Sequence, residues 1–233
     1  MKKIIHTFSI LFILFLTGCS STGFNRGALQ KQLSVKSPVV NDAEIAKALK
    51  LKPNLPRPFK VGVYFAPPKG HYNQQDWRWE TKDKEIFLEI PKELKNTELI
   101  SEVFQISQAT MIGDDLQSIR LAAAKHGADA VLVITGTADV DRYNNSLGFT
   151  YILLVTAFFI PGSEVDALFM TNATLWDVRN EYLYLTAEAE AIVHKTYIPA
   201  FGKQNKELFS EAKSDALSKL KLEVLKMAQG IKK

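Results

Sequence analysis

The segment that most constrains the fold is residues 128–136, which have the sequence Ala-Asp-Ala-Val-Leu-Val-Ile-Thr-Gly. A strand with so continuous an apolar run is normally covered on both faces, as in a sheet with helices on each side. The preceding residues predict such a helix, because Gly113-Asp114-Asp115-Leu116 supplies an Asp cap and Gly127 suits a left-handed residue after a helix. A helix followed by a buried strand is typical of an α/β layer.

The other strands are predicted from alternating polar and apolar side chains. Residues 60–65 alternate and are bounded by prolines, and residues 102–111 form a second candidate strand. Residues 166–178 and 181–195 flank a short polar turn and predict a hairpin. We therefore predict an α/β fold class, with α+β as the alternative, built on a single mixed β-sheet of about four to five strands flanked by helices.

Two further segments predict helices. Residues 81–94 begin with a capping residue and early acidic residues. Residues 203–228 predict a C-terminal amphipathic helix, because their apolar residues recur at helical spacing. That stripe consists of Phe209, Ala212, Ala216, Leu217, Leu220, Val224 and Ala228. The lysines of this helix are interpreted as a solvated face, with attraction to anionic lipid as the alternative.

Residues 147–160 are the most apolar stretch after the N-terminal region. The run ends at Pro161-Gly162, and it is shorter than the stretch of about 20 residues that a transmembrane helix needs. We predict a buried helix here, with a buried strand kept open by the many aromatic and β-branched residues. Membrane insertion is the other alternative.

The N-terminal residues have the features of a lipoprotein export signal. Two lysines precede an apolar run that is too short to remain as a bilayer-spanning anchor. The run ends in Leu16-Thr17-Gly18-Cys19, which looks like the lipobox of bacterial lipoproteins. The lipobox implies that signal peptidase recognises Leu16, Thr17 and Gly18 and cuts the chain before Cys19. It also implies that the Cys19 thiol carries diacylglycerol and that the new amino terminus is acylated.

Cys19 is the only cysteine of the 233 residues, so it has no disulfide partner within the chain. A plain secretory signal with an incidental cysteine is the alternative. We divide the chain into a signal peptide (residues 1–18), a lipidated N-terminus with a tether and a short helix (residues 19–56) and a single α/β domain (residues 57–233). As a flexible coil of about 22 residues, the tether would reach roughly 25 Å.

The lipobox also predicts a location. Acyl chains on Cys19 would hold the protein at a bacterial membrane, with the domain in the periplasm. Ser20 follows the cysteine, where an Asp favours inner-membrane retention in Gram-negative lipoproteins, so the resemblance implies the inner leaflet of the outer membrane. Lysines and glutamates are interspersed rather than gathered on one basic face, and we therefore exclude nucleic acid as a partner.

Two tryptophans mark one candidate binding surface. Trp77 and Trp79, with His71 and Tyr72, form an aromatic cluster between the first strand and the following helix. They are interpreted as loop residues that fold back on the domain, with a peptide- or glycan-contacting surface as the alternative.

Two carboxylates mark the other candidate site. Asp139 and Asp141 follow the buried strand, where α/β proteins often place functional groups. Carboxylates two residues apart can bind a cation or act as a base, and solubilising charges at a strand end are the alternative. The histidines have no zinc-ligand spacing, and no nucleophile elbow, phosphate-binding loop or dinucleotide motif occurs. We therefore predict no metal, no cofactor other than covalent lipid, and no enzymatic activity.

The order of segments from residue 57 onward resembles the rhombotail lipoprotein family, lipid-anchored envelope proteins named for a genomic association with rhomboid-type proteases. The resemblance is carried by residues 116–126, residues 127–134, Asp139-Val140-Asp141, the aromatic-rich residues 147–162 and the strand at residues 173–178. Family members whose C-terminal tail is recognised by a protease finish with glycines, an apolar span and basic residues. Residues 227–233 of this chain contain no apolar span. The resemblance implies no assigned activity and no catalytic residues.

Three functions are compatible with these features. The first is a non-enzymatic lipoprotein that binds another envelope protein or peptidoglycan. The second is a self-assembling or pore- and secretion-associated lipoprotein that uses residues 147–160 as an interface or membrane segment. The third is a hydrolase or metal-binding enzyme that uses Asp139 and Asp141. We favour the first, because the lipobox and the tether are the clearest motifs.

Overall fold

The computed structural model describes residues 21–34, 41–69, 77–93, 99–198 and 205–231. Its centre is one five-stranded sheet with the strand order β2-β1-β3-β4-β5. The strands are β1 (Phe59–Phe65), β2 (Ile100–Gln105), β3 (Ala130–Asn144), β4 (Ser163–Asp177) and β5 (Leu183–Tyr197). β1 is parallel to β2 and β3, whereas β3, β4 and β5 are antiparallel. The predicted single mixed sheet is confirmed, and its antiparallel half makes the fold α+β.

Six α-helices accompany the sheet in the described part of the chain. They are α1 (Arg26–Leu33), α2 (Asp42–Leu49), α3 (Thr81–Leu88), α4 (Ile90–Glu93), α5 (Leu116–Lys125) and α6 (Asn205–Gln229). Short 3-10 helices occur at Gln108–Thr110, Ser146–Ile152 and Leu154–Phe158. No described helix is both long enough and apolar enough to cross a bilayer.

The helices cover both faces of the sheet. Successive side chains of a strand point to opposite faces, so Leu132 and Ile134 of β3 pack in the core beneath α6, whereas Val131 and Val133 pack beneath α5. α1 covers the same face as α5, but farther along β3. The continuous apolar run that predicted a strand covered on both faces is therefore explained.

The helix boundaries follow their capping residues. Asp115 accepts a hydrogen bond from the Ser118 N–H at 2.9 Å and begins α5, and Gly127 follows it with a φ of +75°. α3 begins with a reciprocal capping box between Glu80 and Asp83. All seven residues of the predicted stripe of α6 are buried. The predicted ends of α5 and the buried stripe of α6 are confirmed. The helix predicted at residues 81–94 is instead divided into α3 and α4, and its cap is Glu80, one residue earlier than predicted.

The hairpin of β4 and β5 is confirmed, and its turn is held by specific contacts. Asp177 accepts from the Arg179 N–H at 2.8 Å, and Glu181 adopts a φ of 66°. Arg120 of α5 donates to the Val178 carbonyl at 2.7 Å and forms an ion pair with Glu181. The turn is thus attached to the helix that precedes β3.

Several predictions differ from the structure. The strand predicted at residues 102–111 ends at Gln105. Lys213 of α6 is buried rather than part of the predicted solvated face.

Three further differences concern the candidate site and its surroundings. β3 continues to Asn144, so Asp139 and Asp141 lie within the strand rather than after it. Residues 147–160 form neither a buried helix nor a buried strand but two largely exposed 3-10 helices. The stretch expected to be a flexible tether contains α1, which packs on the sheet because Leu29 and Leu33 present an apolar pair at helical spacing.

Candidate functional site

The candidate site lies where the N-terminal segment meets the far end of β3. Ser21 donates its hydroxyl hydrogen to Asp141 Oδ2 at 2.5 Å, and Thr22 donates to Oδ1 at 2.9 Å. The Gly23 N–H donates to Oδ2 at 3.0 Å. Both oxygens of the Asp141 carboxylate therefore bind residues from the N-terminal segment of the same chain.

The electrostatics of Asp141 are consistent with this binding. Burial acts to raise the pKa of Asp141, but hydrogen bonds from Ser21, Thr22 and the Gly23 N–H favour the charged form. The net effect lowers the pKa of Asp141 below its ordinary value. The carboxylate is thus held ionised as an acceptor for the N-terminal segment.

Asp139 lies on the same face of β3 as Asp141, because the two are separated by one residue. Its Oδ1 accepts a hydrogen bond from the N–H of the adjacent Val140 at 2.9 Å. The residues that the structure describes include no group of three or more histidine, cysteine or carboxylate side chains placed to hold a metal ion. The two carboxylates predicted as a pair therefore have different surroundings, and Asp141 is engaged by the chain itself.

α1 extends the contact of the N-terminal segment with the sheet. Leu29 and Leu33 are buried against Leu168 and Met170 of β4. The Leu33 carbonyl also accepts a hydrogen bond from the Thr135 hydroxyl at 3.0 Å. Since α1 begins near Asp141 and ends near Thr135, it runs back along β3.

Polar pairs fix the exposed side of α1 to β5. Arg26 forms an ion pair with Glu190 at 3.1 Å, and Gln30 donates to Glu188 at 3.0 Å. Two glutamates of β5 thus contact α1. Residues 21–33 are therefore part of the domain.

A second polar cluster adjoins Asp141. Asp166 of β4 lies opposite Asp141 in the strand register, and Asp166 Oδ1 lies 2.6 Å from His194 Nδ1 of β5. Tyr143 donates to Asp166 at 3.3 Å. Burial, a hydrogen bond with Glu164 and the nearby charge of Asp166 raise the pKa of Tyr143 to about 12. The phenol therefore stays protonated at neutral pH and serves as a hydrogen-bond donor.

The connection from β3 to β4 begins immediately beyond these residues. We call residues 146–160 the apolar loop, and it contains the two 3-10 helices Ser146–Ile152 and Leu154–Phe158. Fifteen large apolar side chains are exposed in the described part of the chain, and seven of them belong to this loop. These seven are Leu147, Phe149, Leu153, Leu154, Val155, Phe158 and Phe159.

The two tryptophans predicted as candidate binding residues lie against the sheet. Trp77 is buried and meets the ring of Phe169 edge-on, with ring centroids 4.8 Å apart. Trp79 donates its indole N–H to the Ala66 carbonyl at 2.7 Å. This placement matches the interpretation of a loop that folds back on the domain. His71 and Tyr72 lie outside the described residues.

Sequence reasoning missed the partners of Asp141, although two signals were present. Asn25 caps α1 by accepting from the Ala28 N–H at 3.0 Å, and Leu29 and Leu33 have helical spacing. These features predict a short amphipathic helix. The lipobox residues Leu16, Thr17, Gly18 and Cys19 lie outside the described residues.

No family model and no curated protein matches the sequence. Solved structures with similarity include a minor lipoprotein from Acinetobacter baumannii, with 9% identity and a TM-score of 0.36 over 72% of this chain and 94% of that one. Lipoprotein GNA1162 from Neisseria meningitidis has 14% identity and a TM-score of 0.31 over 68% and 95%. A PelC dodecamer from Paraburkholderia phytofirmans has 17% identity and a TM-score of 0.35 over 76% and 92%. Two of the three are described as lipoproteins, but similarities this low assign neither a family nor a function.

Proposed function

We propose that this protein is a lipid-anchored lipoprotein of the bacterial envelope, of the rhombotail kind, whose domain binds another envelope component. The observation that carries the proposal is the lipobox Leu16-Thr17-Gly18-Cys19, with a cysteine that is the only one in the chain. A single exported cysteine without a disulfide partner is explained by acylation. Several acyl chains give stable anchoring, whereas one gives only marginal binding.

The contacts of Ser21 and Thr22 support this assignment. These residues follow Cys19 almost directly and bind Asp141 of the domain. An acylated Cys19 would thus be joined to the folded domain by a very short connection. Such an arrangement would hold the domain at the surface of a membrane rather than at the end of a long tether.

The proposal of binding rather than catalysis is supported by the state of Asp141. Asp141 uses both oxygens to bind residues 21–23, and an occupied carboxylate is a poor candidate for a general base. The partner that we propose is another envelope protein or peptidoglycan, and we propose no cofactor beyond the covalent lipid.

Lipidation is tested by expressing the full chain in a bacterium and measuring the intact mass of the membrane-extracted protein. We expect cleavage before Cys19, a mass increase that corresponds to acyl chains, and incorporation of labelled palmitate. A Cys19→Ala variant should lose the label, while a matched Ser20→Ala variant keeps it. An unmodified Cys19 in the mature protein would refute the proposal.

The membrane of residence is tested at Ser20. In a Gram-negative host, density fractionation should place the wild-type protein in the outer membrane. A Ser20→Asp variant should move toward the inner membrane, whereas Ser20→Ala should not. Fractionation of the wild-type protein with the inner membrane would contradict the proposed location, and equal distribution of all three proteins would contradict the role of residue 20.

The binding role is tested by cross-linking in cells, followed by purification from membranes, and by co-sedimentation with isolated peptidoglycan. We expect one partner to be enriched with the wild-type protein relative to an unrelated lipoprotein of equal abundance. Cys19→Ala should lose that partner if the anchor brings the two together. Enrichment of neither a protein nor peptidoglycan would count against a binding role.

A further inference from the structure

We propose that the apolar loop, residues 146–160, inserts into the same bilayer leaflet that holds the acyl chains of Cys19. This inference rests on the proposed lipid anchor and adds a second, protein-borne contact with the membrane. Its occupant is lipid: the headgroup region and the adjoining acyl chains.

The exposed surface of the apolar loop is more apolar than the surface of an ordinary solvent-exposed loop. Leu154 is 81% exposed and Phe159 is 74% exposed, and five further large apolar side chains of the loop are exposed as well. Residues 145–163 contain no Asp, Glu, Lys, Arg or His. An exposed apolar patch of this kind marks a protein or membrane contact.

Several polar groups of the apolar loop have hydrogen-bond partners within the loop or at its base. Thr150 donates to the Leu147 carbonyl at 2.7 Å, and Thr156 donates to the Thr150 carbonyl at 2.5 Å. The Tyr151 hydroxyl donates to the Ile160 carbonyl at 3.0 Å and accepts from the Gly162 N–H at 2.6 Å. Backbone groups that enter lipid must find such internal partners, because lipid offers none.

The base of the apolar loop is tightly closed. A Cβ added at Gly162 would lie 2.7 Å from the Gly148 nitrogen, and the Asn145 N–H donates to the Gly162 carbonyl at 2.9 Å. The two ends of the loop are therefore packed backbone against backbone. The closed base holds the apolar side chains in a defined arrangement. Insertion into a membrane therefore needs little further conformational ordering of the loop.

The position of the N-terminal segment identifies lipid as the occupant. Ser21 is held at Asp141, and β3 continues only three residues, roughly 10 Å, before it ends at Asn144 and the apolar loop begins. Cys19 is two residues before Ser21 and therefore within roughly 7 Å of it. Ser21 and the apolar loop thus lie at the same end of the sheet, and Cys19 is joined to Ser21 through Ser20 alone.

The depth of insertion follows from the length of the apolar loop. Its helices are one or two turns long, and no described helix is suited to spanning a bilayer. An amphipathic element of this kind lies in the interface, with apolar side chains roughly 5–10 Å below the headgroups. We therefore infer shallow insertion rather than a transmembrane segment.

The test uses the lipidated full-length protein reconstituted in phospholipid vesicles. Acylation consumes the Cys19 thiol, so a cysteine introduced by Leu154→Cys is the only free thiol and can carry an environment-sensitive NBD dye. Phe149→Cys provides a second position in the loop. The control is Leu222→Cys on α6, an exposed leucine of the same type near Val224, which packs at the opposite end of the sheet.

At positions 154 and 149 we expect a blue shift, a severalfold rise in emission, and quenching by lipids that carry a nitroxide high on the acyl chain. The dye at position 222 should remain water-exposed. If the dye at positions 154 and 149 shows the emission of a water-exposed dye, while the intact mass shows the acyl chains, the inference is overturned and the lipid anchor stands. Missing acyl chains in the same sample would refute the anchor itself.

A second copy of this chain is the other occupant that the test distinguishes. In that case the blue shift would depend on protein density in the vesicles, and dyes on neighbouring copies would quench one another. Resistance to nitroxide lipids together with such density dependence would overturn membrane insertion in favour of self-assembly. Insertion predicts a blue shift that is independent of protein density and sensitive to the nitroxide.

Discussion

Ser21 donates its hydroxyl hydrogen to Asp141 across 120 positions of sequence, with the two oxygens 2.5 Å apart. This bond and its neighbours turn a stretch expected to be a free tether into part of the domain. Only Ser20 then separates the domain from Cys19, in place of the long coil expected from the sequence. Any motion of the domain relative to a membrane would then be limited by the apolar loop and the acyl chains together.

Replacement of Asp141 should release the N-terminal segment. Asp141→Ala removes the acceptor for Ser21, Thr22 and the Gly23 N–H, and we expect a loss of about 1–2 kcal/mol in the free energy of unfolding. Urea denaturation measures that loss, and limited proteolysis should cut the segment before α1 more readily. The matched control is Asp139→Ala, which removes a carboxylate on the same strand that binds the Val140 N–H instead of residues 21–23. Equal effects of the two substitutions would contradict the assignment.

The docking of residues 21–23 should weaken in acid. The pKa of Asp141 is lowered in the folded state. The stability that its charged form contributes is therefore complete above the pKa of an unfolded Asp, about 3.9. It is lost as the pH falls through the folded-state pKa. NMR titration should show the Gly23 amide and the Asp141 carboxyl carbon changing together below about pH 4. Asp141→Asn should abolish that joint change, and a Gly23 amide that titrates unchanged in the variant would refute the coupling.

The packing of α1 should depend on Leu33. This side chain is only 2% exposed, against Leu168 and Met170, so Leu33→Ala removes buried apolar area and leaves a cavity. Such a change costs about 2–5 kcal/mol in a core, and we expect the lower end because α1 can detach. Chemical denaturation measures the cost. Leu49→Ala in α2 is the control, because that leucine is 83% exposed and should cost far less.

A buried ion pair should fix α6 to α3. Lys213 Nζ lies 2.6 Å from Asp83 Oδ2 and also donates to the Arg78 carbonyl at 2.7 Å, with both side chains at most 2% exposed. Lys213→Met leaves a buried carboxylate without its counter-ion, and we expect a loss of about 3–5 kcal/mol in the free energy of unfolding.

The matched comparison for this pair is an exposed one. Lys219→Met removes the half-exposed ion pair with Asp215 on the same helix, and it should cost less than about 1 kcal/mol. Adding Asp83→Asn to Lys213→Met removes the orphaned charge and should restore part of the stability. A double variant whose loss equals the sum of the two single losses would show that the ions are not coupled.

Local signals in the sequence predicted much of the sheet and its helices. Asp115 and Gly127 mark the two ends of α5, and the apolar stripe of the last helix is buried as predicted. Such features are set by hydrogen bonds and spacing within one or two turns of chain. The prediction failed at residues 147–160, because an apolar run gives no indication of which surface covers it.

The sequence by itself determined the strand covered on both faces and the periodicity of α6, since each depends on residues close together in the chain. Only the tertiary structure decided the surroundings of Asp141 and the exposure of Leu154. The partners of Asp141 come from residues 118 to 120 positions earlier in the chain. Leu154 belongs to the connection between β3 and β4, whose two ends are held together at Asn145 and Gly162. Both features depend on contacts between residues that are far apart in the sequence, and these contacts form only when the whole chain has folded.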